Sequence, residues 1–240
     1  MLDPALTARA RVVWEGLAAV PVAFAPGISV AVSPASLLCP LGWAGLVVIS
    51  GEVVATAPDQ ATARIIEQAL SAVPVESVTD DRVLRGKLRL AEVLGPAWLA
   101  YLEAADFRPQ HGFADIQVLD STDPALRRFL NHAEAGDLGE SGMQQISSPA
   151  FAIREPDEIV AAAGYRDWPG DVAHLSVLTA EHARGRGLAK ATASAAVSHA
   201  LAESKLPQWR ARPLDSRRVA ANLGFREVGS QVSIRLSGGD

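Results

Sequence analysis

The sequence predicts an α/β fold with a mixed sheet, and two features of the chain carry that prediction. Short apolar runs of strand length alternate with longer stretches of helical composition along the 240 residues. An apolar run at 172–178 also leads through a glycine-rich turn into an alanine-rich segment that reaches about Ala202, which is the order strand, turn, helix. We therefore expect helices to cover the faces of a sheet that mixes parallel and antiparallel strands.

Residues 1–112 are predicted to form an N-terminal α/β subdomain. The prolines and glycines of segment 106–112 are typical of a linker, and they place the end of the subdomain at residue 112. The turn Ser50-Gly51-Glu52 joins two apolar runs and predicts a hairpin. The predicted elements are a helix at 4–17, strands near 28–32 and 46–54, a helix at 59–72, and a helical stretch at 81–105 broken near Gly95-Pro96.

Residues 113–240 are predicted to form a second domain. Asp123 followed by Pro124 predicts a helix start, because an aspartate side chain caps free N–H groups and proline suits the first helical position. The segment 136–142 is expected to be a loop. The other predicted elements are a strand pair at 151–154 and 159–165, a strand at 173–179, a helix at 187–203, a strand at 207–212, a helix at 216–223, and a closing strand or pair at 225–236.

The segment Arg184-Gly185-Arg186-Gly187-Leu188-Ala189 is the most informative motif of the chain. Its glycines allow a close approach to the backbone, and the helix that follows offers unpaired N–H groups and a positive dipole end. It has neither the Gly-Lys-Ser/Thr of a nucleoside-triphosphate loop nor the glycine spacing of a dinucleotide site. We expect a phosphate-bearing ligand of another kind at this loop.

The charge of the chain is uneven. The net charge is −5, which argues against nucleic acid as a partner, since such proteins are usually basic. Between residues 184 and 226, however, nine lysines and arginines stand against two acidic residues. That local excess favours a small ligand with several phosphates.

The only cysteine, Cys39, excludes an internal disulfide and a cysteine-based zinc site, and no metal is expected. Its apolar neighbours predict a buried small side chain and not a nucleophile, and the default location is the reducing cytoplasm. The N-terminal residues lack the basic region of a secretory signal. Four prolines interrupt the uncharged segment 16–51, so no membrane-spanning helix is expected there.

A second motif, Leu223-Gly224-Phe225 within the segment 216–229, follows the glycine loop at the end of the chain. Together with the strand 173–179 and the loop 184–189, it resembles the GNAT superfamily of acyl-CoA-dependent N-acyltransferases over roughly residues 113–236. In the family's phosphate motif either Arg184 or His182 takes the first position, and both frames stay open. The element order of residues 1–112 faintly echoes the second part, and a degenerate half of the same fold is one interpretation.

The resemblance implies that acetyl-CoA is the co-substrate. The strand at 174–179 would splay from the strand at 208–212, and pantetheine would pair with the exposed edge. A backbone N–H near Leu178 would stabilise the oxyanion. The residues implied in cofactor binding are Val177, Leu178, Thr179, Arg184, Gly185, Arg186, Gly187, Leu188 and Ala189.

The resemblance also implies acid–base chemistry. His174 is the first candidate for the base that deprotonates the amine, since imidazole titrates near neutral pH, although a core histidine is the alternative. Glu140 could bind or deprotonate the amine, or lie solvated in its loop. Many members use a tyrosine as general acid where this chain has Ala220. Ser216 could protonate the thiolate instead, or cap its helix.

These residues predict a transferase that moves an acetyl group to an amine on a small molecule or a peptide. Ala220 leaves one alternative open, a non-catalytic acyl-CoA-binding sensor or regulatory module. A homodimer also stays open, and neither nucleic acid nor a membrane is expected as a partner.

Overall fold

The computed structural model describes residues 3–110 and 115–237, and internal contacts divide the chain into two units. Unit 1 consists of Met1–Leu99 and Glu227–Asp240, and unit 2 of Ala100–Arg226. The predicted boundary between residues 112 and 113 lies outside the described residues. The division into 1–112 and 113–240 therefore stays a prediction.

The helices and strands follow one another along the chain as a mixed α/β order. From the N-terminus they are α1 (Pro4–Leu17), β1 (Ile28–Val32), β2 (Ala44–Ile49), β3 (Glu52–Ala57), α2 (Gln60–Leu70), α3 (Asp81–Lys87) and β4 (Leu90–Tyr101). They continue with β5 (Gln117–Leu119), α4 (Pro124–Asn131), α5 (Ala135–Ser141), β6 (Ala150–Glu155), β7 (Glu158–Trp168), β8 (Val172–Thr179), α6 (Leu188–Ala202), β9 (Leu206–Ala211), α7 (Leu214–Leu223) and β10 (Arg226–Leu236).

Unit 1 arranges its strands in the order β1-β3-β2-β10-β4. The strand β1 is parallel to β3, whereas β2 is antiparallel to both β3 and β10. The predicted hairpin turn is confirmed, because Ser50 and Gly51 join β2 to β3 with φ angles of 47° and 82°. Every residue of β2 is buried, which fits a strand covered on both faces.

Unit 2 arranges its strands in the order β9-β8-β7-β6-β5. The pairs β5–β6, β6–β7 and β7–β8 are antiparallel, and β8–β9 is parallel. Both units thus mix parallel and antiparallel pairs, and the predicted α/β fold with a mixed sheet is confirmed. The Asp123 cap is also confirmed, since its Oδ1 accepts a hydrogen bond of 2.7 Å from the N–H of Ala125.

Two local predictions are wrong. The stretch predicted as helical at 81–105 forms only the short helix α3, and residues 90–101 form the strand β4. Helix-forming leucines and alanines dominate that stretch, but sheet pairing overrides such local preference. Gly95 in β4 has a φ of 125°, and a Cβ there would lie 3.0 Å from the carbonyl oxygen of Gln231.

The second wrong prediction concerns the segment 136–142. Its glycines indicated a loop, but the structure forms α5 from Ala135 to Ser141. The helix ends at Gly142, whose φ of 65° is the left-handed conformation typical of a C-terminal cap. Glu140 is consequently a helix residue and not a loop residue.

Cys39 lies half-buried in unit 1, and its Sγ donates to the carbonyl oxygen of Trp43 at 3.2 Å. Burial raises the pKa of this thiol to about 11, so it stays protonated at neutral pH. Within residues 3–110 and 115–237, none of the helices combines the length and the apolar character needed to cross a membrane. In the same two stretches, no three histidine, cysteine, aspartate or glutamate side chains form a group that could hold a metal ion.

Candidate active site

The strands β8 and β9 pair only at their beginnings. Their register joins Val172 to Leu206, Ala173 to Pro207 and His174 to Gln208. Beyond that last pair β8 continues to Thr179 and β9 to Ala211 with no further register pairs among the described residues. The other edge of β8 remains paired with β7 as far as Thr179. The two strands therefore diverge, and the edge of β8 from Leu175 onwards has no strand partner among the described residues.

This unpaired edge contains Val177, Leu178 and Thr179, three of the residues predicted to bind the cofactor. Their side chains alternate across the sheet. Leu178 packs in the apolar cluster beneath α4, and Val177 packs against the cluster that contains α6. The hydroxyl oxygen of Thr179 is buried and has no hydrogen-bond partner among the described residues.

The glycine loop joins β8 to α6 with two left-handed residues. Gly185 has a φ of 76° and Gly187 a φ of 79°, a conformation that residues with a Cβ rarely adopt. Gly187 is the N-cap of α6, which begins at Leu188. The first N–H groups of a helix have no partner within it, so the loop directs unpaired backbone donors to one place. A Cβ at Gly185 would meet nothing within 4 Å.

Both loop arginines already have carboxylate partners. Arg184 forms an ion pair with Asp137 of α5. Arg186 binds both oxygens of Glu155 at 2.8 and 2.6 Å, and this hydrogen bonding lowers the pKa of Glu155 below its ordinary value. Both guanidinium groups are therefore engaged by carboxylates, whereas the backbone N–H groups at the start of α6 have no partner within the helix.

His174 stands at the apex where the strands diverge. Its ring stacks on Trp168 with centroids 4.2 Å apart and planes inclined by 15°. Its Nδ1 is hydrogen-bonded to Oε1 of Gln208, so the neutral ring carries its proton on Nδ1 and leaves Nε2 as an acceptor. Burial, with help from the charge of Arg210, lowers its pKa to about 3. The expectation that His174 titrates near neutral pH is wrong, because the structure keeps it neutral.

Ser216 lies in α7, on the face of β9 that bears Trp209 and is opposite to the face that bears Gln208. The helix begins at Leu214 after Pro213 and has no side-chain cap, so the alternative that Ser216 caps its helix is wrong. Instead, the Ser216 Oγ accepts a hydrogen bond of 3.0 Å from the indole N–H of Trp209. Among the described residues, the hydroxyl proton of Ser216 has no acceptor.

Glu140 forms an ion pair with the residue that follows β9. Its carboxylate forms an ion pair with Arg212, the residue that follows β9, and also accepts from the Arg212 backbone N–H at 3.4 Å. This contact ties α5 to the diverging end of β9.

Two further groups lie near the sheet. The Tyr165 hydroxyl is hydrogen-bonded to Nδ1 of His199 at 2.9 Å, and burial raises the pKa of this phenol above its ordinary value. A cavity of about 350 Å³ lies between α4, the turn from β6 to β7, and the end of β8. His182, the alternative first residue of the phosphate motif, is exposed and lines this cavity.

Sequence reasoning missed Trp168, Gln208 and Arg210, all of which surround His174 or follow it along the diverging strands. No motif marks them, because their role depends on where β9 lies beside β8. The alternation of side chains along β9 was the available signal, since it places Gln208 and Arg210 on one face and Trp209 on the other.

Residues 148–231 match the model of a family described as GNAT acetyltransferase. The predicted resemblance of the C-terminal half to the GNAT superfamily is confirmed. The match contains the diverging strands, the glycine loop and the Leu223-Gly224-Phe225 turn. No curated protein matches the chain.

Solved GNAT structures resemble the chain at low identity. One is a GNAT-family protein from Novosphingobium aromaticivorans, with 23% identity over 62% of this chain and 68% of that one, and a TM-score of 0.48. Another is a GNAT-family acetyltransferase from Colwellia psychrerythraea, with 14% identity over 75% of each chain and a TM-score of 0.48. A GCN5-related N-acetyltransferase from Kribbella flavida has 21% identity over 66% of this chain and 63% of that one, less than two thirds, with a TM-score of 0.48. All three TM-scores lie below 0.5, so the resemblance to the GNAT superfamily depends on the family match at residues 148–231.

Proposed function

We propose that the protein is an N-acetyltransferase that moves the acetyl group of acetyl-CoA to an amine by direct attack. One observation carries the proposal: the parallel pair β8–β9 opens after His174 and Gln208, directly before a loop whose glycines lead into the N-terminus of α6. An exposed strand edge suits an extended amide-containing chain, and a helix N-terminus suits a pyrophosphate. Acyl-CoA has both parts.

The edge from Val177 to Thr179 would bind pantetheine, and the backbone of 184–189 would bind the pyrophosphate. The fit is supported by the unpartnered Thr179 hydroxyl and by the left-handed Gly185 and Gly187. Arg184 and Arg186 would support the loop through their ion pairs. A backbone N–H near Leu178 would bind the thioester oxygen as it becomes negative.

Acetyl-CoA supplies an activated acyl group, and the protein must bring the amine to it in neutral form. With a pKa of about 3, His174 holds a proton too weakly to be an effective base at neutral pH. We propose that its Nε2 accepts a hydrogen bond from the neutral amine and orients the nitrogen lone pair. The proton that the attacking nitrogen loses as the C–S bond breaks would pass to the departing thiolate through the Ser216 hydroxyl, which gives its own proton to the sulfur and takes up the nitrogen's proton by way of a water.

Glu140 would act through Arg212, and not on the amine itself. The ion pair fixes α5 against the end of β9, on the face from which an acceptor would approach His174. We therefore propose Glu140 as a positioning residue at the opening between β8 and β9. Holding two reactants in one geometry supplies much of the rate in direct transfer.

A non-catalytic acyl-CoA sensor is the second candidate, and Ala220 favours it. Ala220 is 2% exposed in α7 and has no hydroxyl to protonate a thiolate where many family members have tyrosine. Both candidates bind acyl-CoA at the same strands and loop. They differ in whether the bound thioester is consumed.

A free-thiol assay tests the proposal. The purified chain is incubated with acetyl-CoA and a panel of small amines and lysine-containing peptides, and coenzyme A thiol is measured over time with an amine-free control. Amine-dependent thiol release, with the acetylated amine found by mass spectrometry, supports the enzyme. Tight binding of acetyl-CoA without release across the panel supports the sensor and contradicts the transferase.

A further inference from the structure

The face of β9 that bears Gln208 carries polar donors without protein partners among the described residues. Gln208 and Arg210 are two residues apart on the strand, so their side chains lie on the same face, about 7 Å apart along it. Gln208 is at the apex where pairing with β8 ends, and Arg210 is on the diverging part. Both side chains therefore lie on the face of β9 that borders the contact between Gln208 and His174.

Gln208 is completely buried, yet it uses only one end of its amide. Its Oε1 is bonded to His174, and its Nε2 has no partner among the described residues. A buried amide nitrogen without an acceptor is costly and rare in folded proteins. The side chain therefore offers a donor at the apex for a ligand oxygen.

Arg210 differs from Arg212, the arginine that directly follows β9. Arg212 is paired with Glu140, whereas no carboxylate in the described residues forms an ion pair or a hydrogen bond with Arg210. Its side chain is exposed, and desolvation lowers its pKa from the ordinary value, with the charge of Glu140 acting against that change and the charge of Arg212 adding to it. The Arg210 guanidinium is therefore accessible and keeps its hydrogen-bond donors for a ligand carboxylate.

We propose that the acceptor is an amine that also carries a carboxylate, and that Arg210 and Gln208 bind that carboxylate. The inference rests on the proposed function and names its substrate class as amino acids and other small amino-carboxylates. A guanidinium can bind a carboxylate with two parallel hydrogen bonds, which fixes its orientation. Polyamines are disfavoured, because Arg210 and Arg166 both place positive charge near His174.

The test compares amines that differ only in the carboxylate: alanine with alaninamide, β-alanine with β-alaninamide, and 4-aminobutyrate with its amide. Thiol release is measured at saturating acetyl-CoA, and kcat/KM is expressed per neutral amine. In at least one pair the carboxylate should be preferred by about tenfold or more, since a charge-assisted hydrogen bond contributes at least that factor. Arg210→Gln should reduce the preference to within about threefold.

Arg64→Gln is the matched control, because Arg64 is exposed on α2. It should leave the preference unchanged, and Arg210→Lys should retain part of it. Binding is measured separately by titrating N-acetyl-β-alanine and its amide into the protein saturated with coenzyme A. The acid should bind more tightly, and Arg210→Gln should abolish the difference.

Thiol release with no preference for the carboxylate in any pair overturns this inference and leaves the proposed function standing. If acetyl-CoA binds but no amine releases thiol, the inference is overturned when N-acetyl-β-alanine and its amide bind with equal affinity. Failure of acetyl-CoA to bind overturns the proposed function and this inference together.

Discussion

His174 and Gln208 form the last register pair of β8 and β9, and a hydrogen bond between their side chains joins the same two residues. The strands separate immediately beyond this contact. The pair therefore closes the apex of the opening, and it holds the imidazole in the tautomer whose Nε2 has no hydrogen-bond partner among the described residues. The proposed chemistry would take place next to this contact, between the edge of β8 and the far end of β9.

Gly185→Trp should abolish acetyl-CoA binding or weaken it by at least about tenfold, because the indole would occupy the space from which a pyrophosphate approaches the loop. Gly42→Trp is a matched control for backbone strain. The two glycines have φ angles of 76° and 79°, and a Cβ at either position would meet nothing within 4 Å. Calorimetric titration and thermal unfolding of both variants check this. Equal affinity in the two variants would contradict a phosphate site at the loop.

His174→Asn should flatten the pH dependence of stability. The folded-state pKa is about 3 and the ordinary value is 6.5, so the unfolded chain binds a proton that the folded chain does not between these limits. Stability from the neutral ring is complete above pH 6.5 and is lost as the pH falls towards 3, by up to about 1.4 kcal/mol per pH unit. Asparagine keeps an N–H donor for Gln208 but cannot titrate.

Urea unfolding of both proteins at pH 7, 6, 5 and 4 measures that difference. If the free energy of unfolding changes with pH in the same way in both proteins, His174 titrates normally. The wild-type pH–rate profile should likewise follow the ionisation of the amine, with no inflection near pH 6.5. An inflection there that disappears in His174→Asn would reinstate His174 as a general base.

Ser216→Ala should lower the free energy of unfolding by about 1–2 kcal/mol, because it leaves the Trp209 indole N–H without its acceptor. In a Trp209→Phe background the same change should cost much less, and denaturant unfolding of the four proteins measures this coupling. If Ser216 protonates the thiolate, kcat also falls while the affinity for acetyl-CoA is unchanged. Full activity in Ser216→Ala would leave the residue a purely structural role.

Glu140→Gln and Arg212→Gln should have similar effects on the KM for the amine, and the double variant should be no worse than either alone. This follows if Glu140 acts only by holding Arg212, since removing either partner loses the same contact. The stability cost should stay below about 1 kcal/mol, as is usual for exposed pairs. A collapse of kcat in Glu140→Gln alone would indicate that its carboxylate handles the amine proton.

The sequence was sufficient for the parts of the site that depend on local backbone. Glycines that require left-handed φ, a capping aspartate before a proline, and an apolar run before a glycine loop all act within a few residues. They located the strand β8, the loop 184–189 and the start of α4. The family match over residues 148–231 agrees with that reading.

The parts that failed depend on long-range pairing. The strand β4 has helix-forming composition and becomes a strand only because it pairs in a sheet. The low pKa of His174 arises from burial and from Arg210, which is 36 residues away along the chain. The engagement of Glu140 by Arg212 likewise joins two distant segments. No pattern of nearby residues reports such contacts.

Calorimetric titration of acetyl-CoA into the purified full chain, beside S-acetyl-pantetheine, tests the central claim most directly. The two compounds share the thioester and the pantetheine arm, but only the first has the pyrophosphate. We expect acetyl-CoA to bind with one site per chain and at least about tenfold more tightly than S-acetyl-pantetheine, because the backbone of 184–189 holds the phosphates. Absence of binding, or equal affinity for the two compounds, would contradict the account.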